Sequence, residues 1–170
     1  HANKVQPALS GWLGHDAPFA FDPDYRPAAG VERMRVGTPP ILQLAALEAA
    51  LDIWDAVDLH DLRAACLSLG DRFIAGVEAA CPTLRLVTPR AHDQRGSQIS
   101  FAHPDGYAIM QAMIAQGVIG DFRAPDILRF GITPLFVGEA EIDGAIAALS
   151  QIMASGSWDR PEFKARAKVT

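Results

Sequence analysis

The sequence is poor in several features that would mark a specialised architecture. Only two of its 170 residues are cysteines, Cys66 and Cys81, with no CxxC and no neighbouring histidine. This argues against a zinc site or a disulfide scaffold and for buried, reduced thiols in a cytosolic protein. Positive charge is in deficit, 15 Lys+Arg against 20 Asp+Glu for a net charge of -5, so nucleic acid is not an expected partner. The longest apolar-rich run, 41–57, is broken by Gln43, Glu48, Asp52 and Asp55, too short and too polar for a membrane span. Lysine is rare, confined to Lys4, Lys164 and Lys168. The start has neither an initiating methionine nor an apolar signal core, and reads as the interior of a longer protein. What is present is 49% apolar residues, enough for a chain of this length to bury roughly 70% of its unfolded surface in an ordinary core.

Residues 1–38 are rich in Pro, Gly and Asp and read as ordered loop, with a short strand expected at 34–36. From Ile41 the pattern turns helical: Leu44, Leu47, Leu51 and Trp54 share a stripe opposite Glu48, Asp52 and Asp55, predicting an amphipathic helix over about 39–57. Thr38 is its expected N-cap, with Pro39 in the first turn. A second helix is expected over about 59–80, capped by Asp58 and carrying Leu62, Cys66, Leu69, Phe73 and Val77 on one stripe. Strands follow at 84–88 and 98–103, joined by a polar, exposed linker. Next come a short helix at 105–116 closed by Gly117, strands at 118–122 and 127–132, and a helix over 139–154 stopped near Gly156. This β-β-α-β-β-α order predicts a small α+β domain over 82–155 with helices on one face of the sheet. It is preceded by connecting helices at 39–81 and followed by a polar tail at 156–170.

Three places could carry chemistry. Trp12, in Ser10-Gly-Trp-Leu-Gly-His15, can offer its indole N–H to an acceptor such as a phosphate oxygen, with His15 able to exchange a proton nearby; the competing reading is an indole that anchors the loop. Thr38 puts a hydroxyl at a helix N-terminus, where anions are stabilised, although Pro39 and Pro40 remove two amides; the competing reading is an ordinary cap. Arg129 lies on a strand whose core face is Leu128, Phe130 and Ile132, beside the small Gly131, suited to a bidentate grip on a carboxylate; the competing reading is a surface ion pair. His60, His92 and His103 share no metal-ligand spacing, and Asp16, Asp22 and Asp24 lack the pattern of a calcium loop.

Read in order, Gly11-Trp-Leu-Gly-His15, Arg35-Val-Gly-Thr-Pro-Pro-Ile41 and Ile127-Leu-Arg-Phe-Gly-Ile-Thr-Pro-Leu135 resemble the C-terminal part of kynureninases, from end to end of the chain. The resemblance implies a pyridoxal 5'-phosphate enzyme of the aspartate-aminotransferase fold type, with residues 1–38 belonging to its large domain. It further implies a cytoplasmic homodimer that hydrolyses L-kynurenine to anthranilate and L-alanine in tryptophan catabolism, on the kynurenine route to NAD. Trp12 and Thr38 then match the residues that bind the cofactor phosphate of the neighbouring subunit. Arg129 matches the residue that grips the substrate α-carboxylate, and His15 and Leu13 match positions beside the substrate's aromatic ring. Animal members carry Ser-Asn in place of Gly37-Thr38 and Phe in place of Leu13, so the resemblance favours kynurenine over its 3-hydroxy derivative. None of the three lysines stands in the family's Tyr-Lys context. The Schiff-base lysine is therefore expected in a missing N-terminal part, and no catalytic residue is expected on this chain, which should be inactive alone. Two other classes stand beside this one: a non-catalytic α+β ligand-binding or interaction module, and a desulfurase or aminotransferase of the same lineage.

Overall fold

A computed structural model describes residues 2–165 of the chain. The chain divides into two compact units, His1–Ala56 and Val57–Thr170. The expected pair of connecting helices is thus split between them, and residues 166–170 of the expected tail lie outside the described residues.

The first unit is built from short 3-10 turns at Ala2–Lys4, Trp12–Gly14, Pro18–Ala20 and Gly30–Met34, followed by helix α1, Ile41–Leu51, which tightens into a 3-10 turn at Asp52–Ala56. The strand expected at 34–36 is absent; the 3-10 turn runs to Met34 and the chain leaves it extended at Arg35. Thr38 does not cap α1. The cap position is Pro40, whose carbonyl accepts from Leu44 N at 3.0 Å. A residue that precedes proline is disfavoured in the helical region, which is why the helix starts only after the proline pair, with Pro40 itself extended. The stripe Leu44, Leu47, Leu51 and Trp54 is exposed throughout, as are Ile41 and Leu42.

The second unit begins with helix α2, Leu59–Ala80, capped as expected: an Asp58 carboxylate oxygen accepts from the backbone N–H of His60 at 2.7 Å and of Asp61 at 3.1 Å. Then follow β1 (Arg85–Leu86), β2 (Gln98–Ala102), helix α3 (Gly106–Ala115), β3 (Asp121–Arg123), β4 (Ile127–Gly131), helix α4 (Glu139–Ser155) and a short helix α5 (Pro161–Lys164). The four strands form one antiparallel sheet in the order β1-β2-β4-β3. β1 is shorter than the expected 84–88 because Val87 N and Thr88 N both turn to the Ser100 carbonyl, at 2.9 and 3.4 Å, which ends the ladder. Gly117 closes α3 with φ +84, a left-handed conformation that favours glycine, and Gly156 does the same for α4 with φ +64.

Register pairs Ile99 with Phe130 and Phe101 with Leu128, so these four side chains share one face of the sheet. They are buried together with Phe73 and Val77 of α2, Ile109 and Met113 of α3, and Leu149 and Ile152 of α4. The Phe73 ring meets Phe130 edge-on with centroids 5.0 Å apart. Trp158 and Phe163, expected in a polar tail, pack against this core. Nor is the 89–97 linker wholly exposed. Arg95 is buried and donates to the Arg90 carbonyl at 3.2 Å and to Asp71, tying the linker to α2.

Candidate functional site

The Gly-Trp-Leu-Gly-His segment owes its composition to backbone proximity. A Cβ at Gly11 would sit 2.0 Å from the Val36 Cα, and one at Gly14 would sit 2.6 Å from the Arg33 carbonyl oxygen, so only glycine lets 11–14 lie against 33–36. Tyr25 braces the same crossing, its hydroxyl donating to the Gly14 carbonyl at 3.0 Å. Arg33, buried, donates to the carbonyls of Ala28, Asn3 and Val5 at 3.0 to 3.1 Å, tying 3–5 to 28–33.

Within this frame the Trp12 ring is half exposed, meets Phe19 edge-on, and gives its indole N–H to the Pro18 carbonyl at 2.5 Å. His15 is buried with both nitrogens engaged: Nδ1 accepts from Ala17 N at 2.8 Å, and Nε2 donates to the Asp24 carbonyl at 3.1 Å. Asp16 Oδ1 also lies 3.0 Å from Nδ1, so the ring is held in place from both of its nitrogens. Trp12, His15, Phe21, Asp22 and Tyr25 line a cleft of about 270 Å³. The Arg26 guanidinium beside Asp22 holds that carboxyl below its usual range, so the Asp22 charge beside the cleft is paired with that of Arg26. Leu13 is half-buried next to Trp12. Thr38 is exposed and lies outside any helix or strand, its hydroxyl without a hydrogen bond among the described residues.

Arg129 belongs to the second unit. Its neighbours Leu128 and Phe130 fill the core, so its own side chain emerges on the opposite face, 28% exposed. Register sets Ser100 opposite it on β2 and Asp121 opposite it on β3. One Nη donates to Asp121, while Nε is buried and has no acceptor among the described residues. A partly exposed guanidinium with a terminal nitrogen unpartnered among the described residues is suited to a carboxylate. Sequence reading missed Asp121. The signal was the tight β3–β4 hairpin, whose register makes 121 and 129 cross-strand neighbours.

Four of the remaining titratable candidates have local partners. His92 Nε2 lies 2.8 Å from Asp71, His103 Nδ1 accepts from Asp105 N at 3.1 Å, and Asp16 and Asp22 both accept from Arg26. Both cysteines are free; burial raises the Cys81 thiol pKa above its ordinary value. Among the described residues no helix is long and apolar enough to cross a membrane.

A family model described as the kynureninase C-terminal domain matches residues 62–149. The kynureninase of Burkholderia mallei (strain SAVP1) is 48% identical over 172 residues, covering all of this chain and 41% of that protein. The kynureninase of Pseudomonas fluorescens is 46% identical over 168 residues, covering 98% of this chain and 40% of that protein. The chain thus spans about two fifths of the length of these relatives. Among solved structures, the cystine C-S lyase C-DES in complex with cysteine persulfide superposes with a TM-score of 0.72 at 24% identity, over 88% of this chain and 39% of that one. A C-DES variant with glycine covalently linked to its PLP cofactor gives 0.71 at 24%, over 86% and 38%. At that identity the likeness establishes a shared fold.

Proposed function

Because the chain belongs to the family of kynureninase C-terminal domains, we propose that it is the C-terminal part of a pyridoxal-phosphate enzyme that hydrolyses L-kynurenine to anthranilate and L-alanine. The observation that carries this reading is 48% identity along the whole of the chain to a kynureninase, against 24% to a C-S lyase of the same fold. Bound pyridoxal phosphate supplies an electron sink for chemistry at the substrate α-carbon.

The residues of this chain bind and orient. Arg129 takes the α-carboxylate through the Nη that Asp121 leaves unpartnered among the described residues. Thr38 fits a phosphate oxygen, having an exposed hydroxyl with no competing partner among the described residues. Trp12 fits less simply. Its N–H already serves the Pro18 carbonyl, so donating to phosphate requires that bond to be given up. His15 and Leu13 flank the aromatic ring of the substrate, the His15 ring held in place by its contacts to Ala17 N and the Asp24 carbonyl. In this reading residues 1–38 belong to a large domain, 39–81 connect, and 82–155 form the small domain. Two copies share each site, and the lysine that carries the cofactor lies in a segment other than this one. Leu13 and Gly37-Thr38 support kynurenine over its 3-hydroxy derivative. The reduced thiols support a cytoplasmic location.

The test is turnover by the full-length protein that contains this chain, read by anthranilate fluorescence. Arg129→Ala is expected to lose about 2 to 5 kcal/mol of transition-state binding, since the substrate carboxylate is left unpaired. Unchanged kcat/KM would remove Arg129 from the site, and turnover of cystine without anthranilate release would favour the C-S lyase reading. Trp12→Phe keeps the ring and deletes the N–H; weaker cofactor retention is expected, and an unaltered affinity would exclude a phosphate bond from the indole.

A further inference from the structure

We infer that Asp121 is a positioning residue for the carboxylate grip: its carboxylate holds the Arg129 guanidinium end-on to the open face of the sheet, so that the outward N–H groups meet the substrate ready-oriented. The inference rests on the reading that Arg129 binds the α-carboxylate.

The β3–β4 register sets Asp121 directly across from Arg129, and side chains of a register pair project to the same face. Asp121 Oδ2 accepts from Arg129 Nη2 and lies 3.4 Å from Arg123 Nε. One carboxylate therefore sits between two guanidinium groups. The backbone is built for this approach. Gly120 precedes Asp121, and a Cβ there would lie 2.9 Å from the Arg129 carbonyl oxygen and 2.6 Å from Met110 Cε, so any larger residue would push β3 away from β4.

The hydrogen bonding of Arg129 is one-sided. Asp121 takes one Nη, Nε is buried without an acceptor among the described residues, and the other Nη has no partner among them. A long, flexible side chain fixed through one terminal nitrogen keeps its plane while leaving the other terminal nitrogen for a second carboxylate. Asp121 could instead compete with the substrate for the guanidinium. The second cation decides against that. Arg123 holds Asp121 in place when another carboxylate arrives, and two guanidinium groups around one carboxylate leave a net positive charge to receive it.

The experiment compares L-kynurenine with its carboxamide in the full-length holoenzyme carrying Asp121→Asn, and Asp121→Ser as a second neutral variant. For kynurenine, KM is expected to rise about five- to tenfold with kcat within about twofold, while the parameters for the carboxamide move less than about twofold. An unchanged or lowered KM for kynurenine overturns the inference, because Asp121 would then be idle or a competitor. An equal loss on both substrates also overturns it, since that is the signature of a residue that only supports the fold. Arg129→Ala separates the two levels of the argument. If that variant keeps the wild-type preference for acid over amide, the carboxylate grip itself is wrong, whatever the Asp121 variants do.

Discussion

In residues 57–165 the buried set includes Phe73, Val77, Ile99, Phe101, Ile109, Met113, Leu128, Leu149 and Ile152, while in residues 2–56 the only buried apolar side chain is Ala28, joined by the polar His15 and Arg33. Large apolar side chains are not scarce in the first unit; Leu9, Phe19, Phe21, Leu42 and Ile53 are simply exposed. The second unit is thus ordered by removal of apolar surface from water, worth roughly 25 cal/mol per Å². The first is ordered by directional bonds: Arg33 on three carbonyls, Tyr25 on Gly14, His15 on Ala17 and Asp24, and glycines that let two backbone segments touch. The difference suits the two candidate groups. Arg129 stands on a strand whose other face is core, so packing holds its backbone; Trp12 stands on a turn held by bonds that other acceptors can replace.

This contrast can be broken at its strong end first. Phe73 touches both Phe101 and Phe130, and Phe73→Ala in the full-length protein should cost about 3 to 5 kcal/mol by urea unfolding. A cost near zero would mean the apolar cluster does not stabilise the second unit. Next is Gly11→Ala, where the added methyl meets the Val36 backbone; a cost of about 1 to 3 kcal/mol is expected, read as lost hydrogen-exchange protection across 11–36 with the second unit unaffected. Protection unchanged at 11–36 would refute the close approach. Asp58→Ala removes the cap of α2 and should cost about 1 kcal/mol, with exchange rising in the first turn only.

The smallest effect sharpens the comparison within the second unit. Arg95, and to a lesser degree His92, hold the Asp71 carboxyl below its ordinary value of 3.8. A carboxyl with a lowered folded pKa contributes stability that is complete above 3.8 and is lost as pH falls through the depressed value. Asp71→Asn should therefore flatten the acid limb of the unfolding midpoint below about pH 4 and leave the neutral plateau nearly parallel to wild type. An acid limb of unchanged steepness would show that Asp71 does not contribute through its charge.

Much of the second unit was legible from local patterns. Helix α2 falls over 59–80 with its Asp58 cap, and the β-β-α-β-β-α order holds, because spacing of apolar residues and caps are properties of adjacent residues. Local reasoning failed where a distant partner or a proline pair intervened. Thr38 has every attribute of a cap except a following residue free to enter the helix. Arg95 sits in a stretch that looks solvated, yet Asp71, on a helix 24 positions earlier, draws it inside.

By itself, the order of residues determined the helical and strand periods, the glycine-framed Trp12 segment and the kinship with kynureninases, since each is written in short runs of neighbours. Only the tertiary structure decided which acceptor takes the Trp12 N–H, which groups hold the His15 ring and which carboxylate faces Arg129. Those outcomes depend on segments that meet in space, and hydrogen bonds act over about 3 Å, a distance that separation along the chain does not encode.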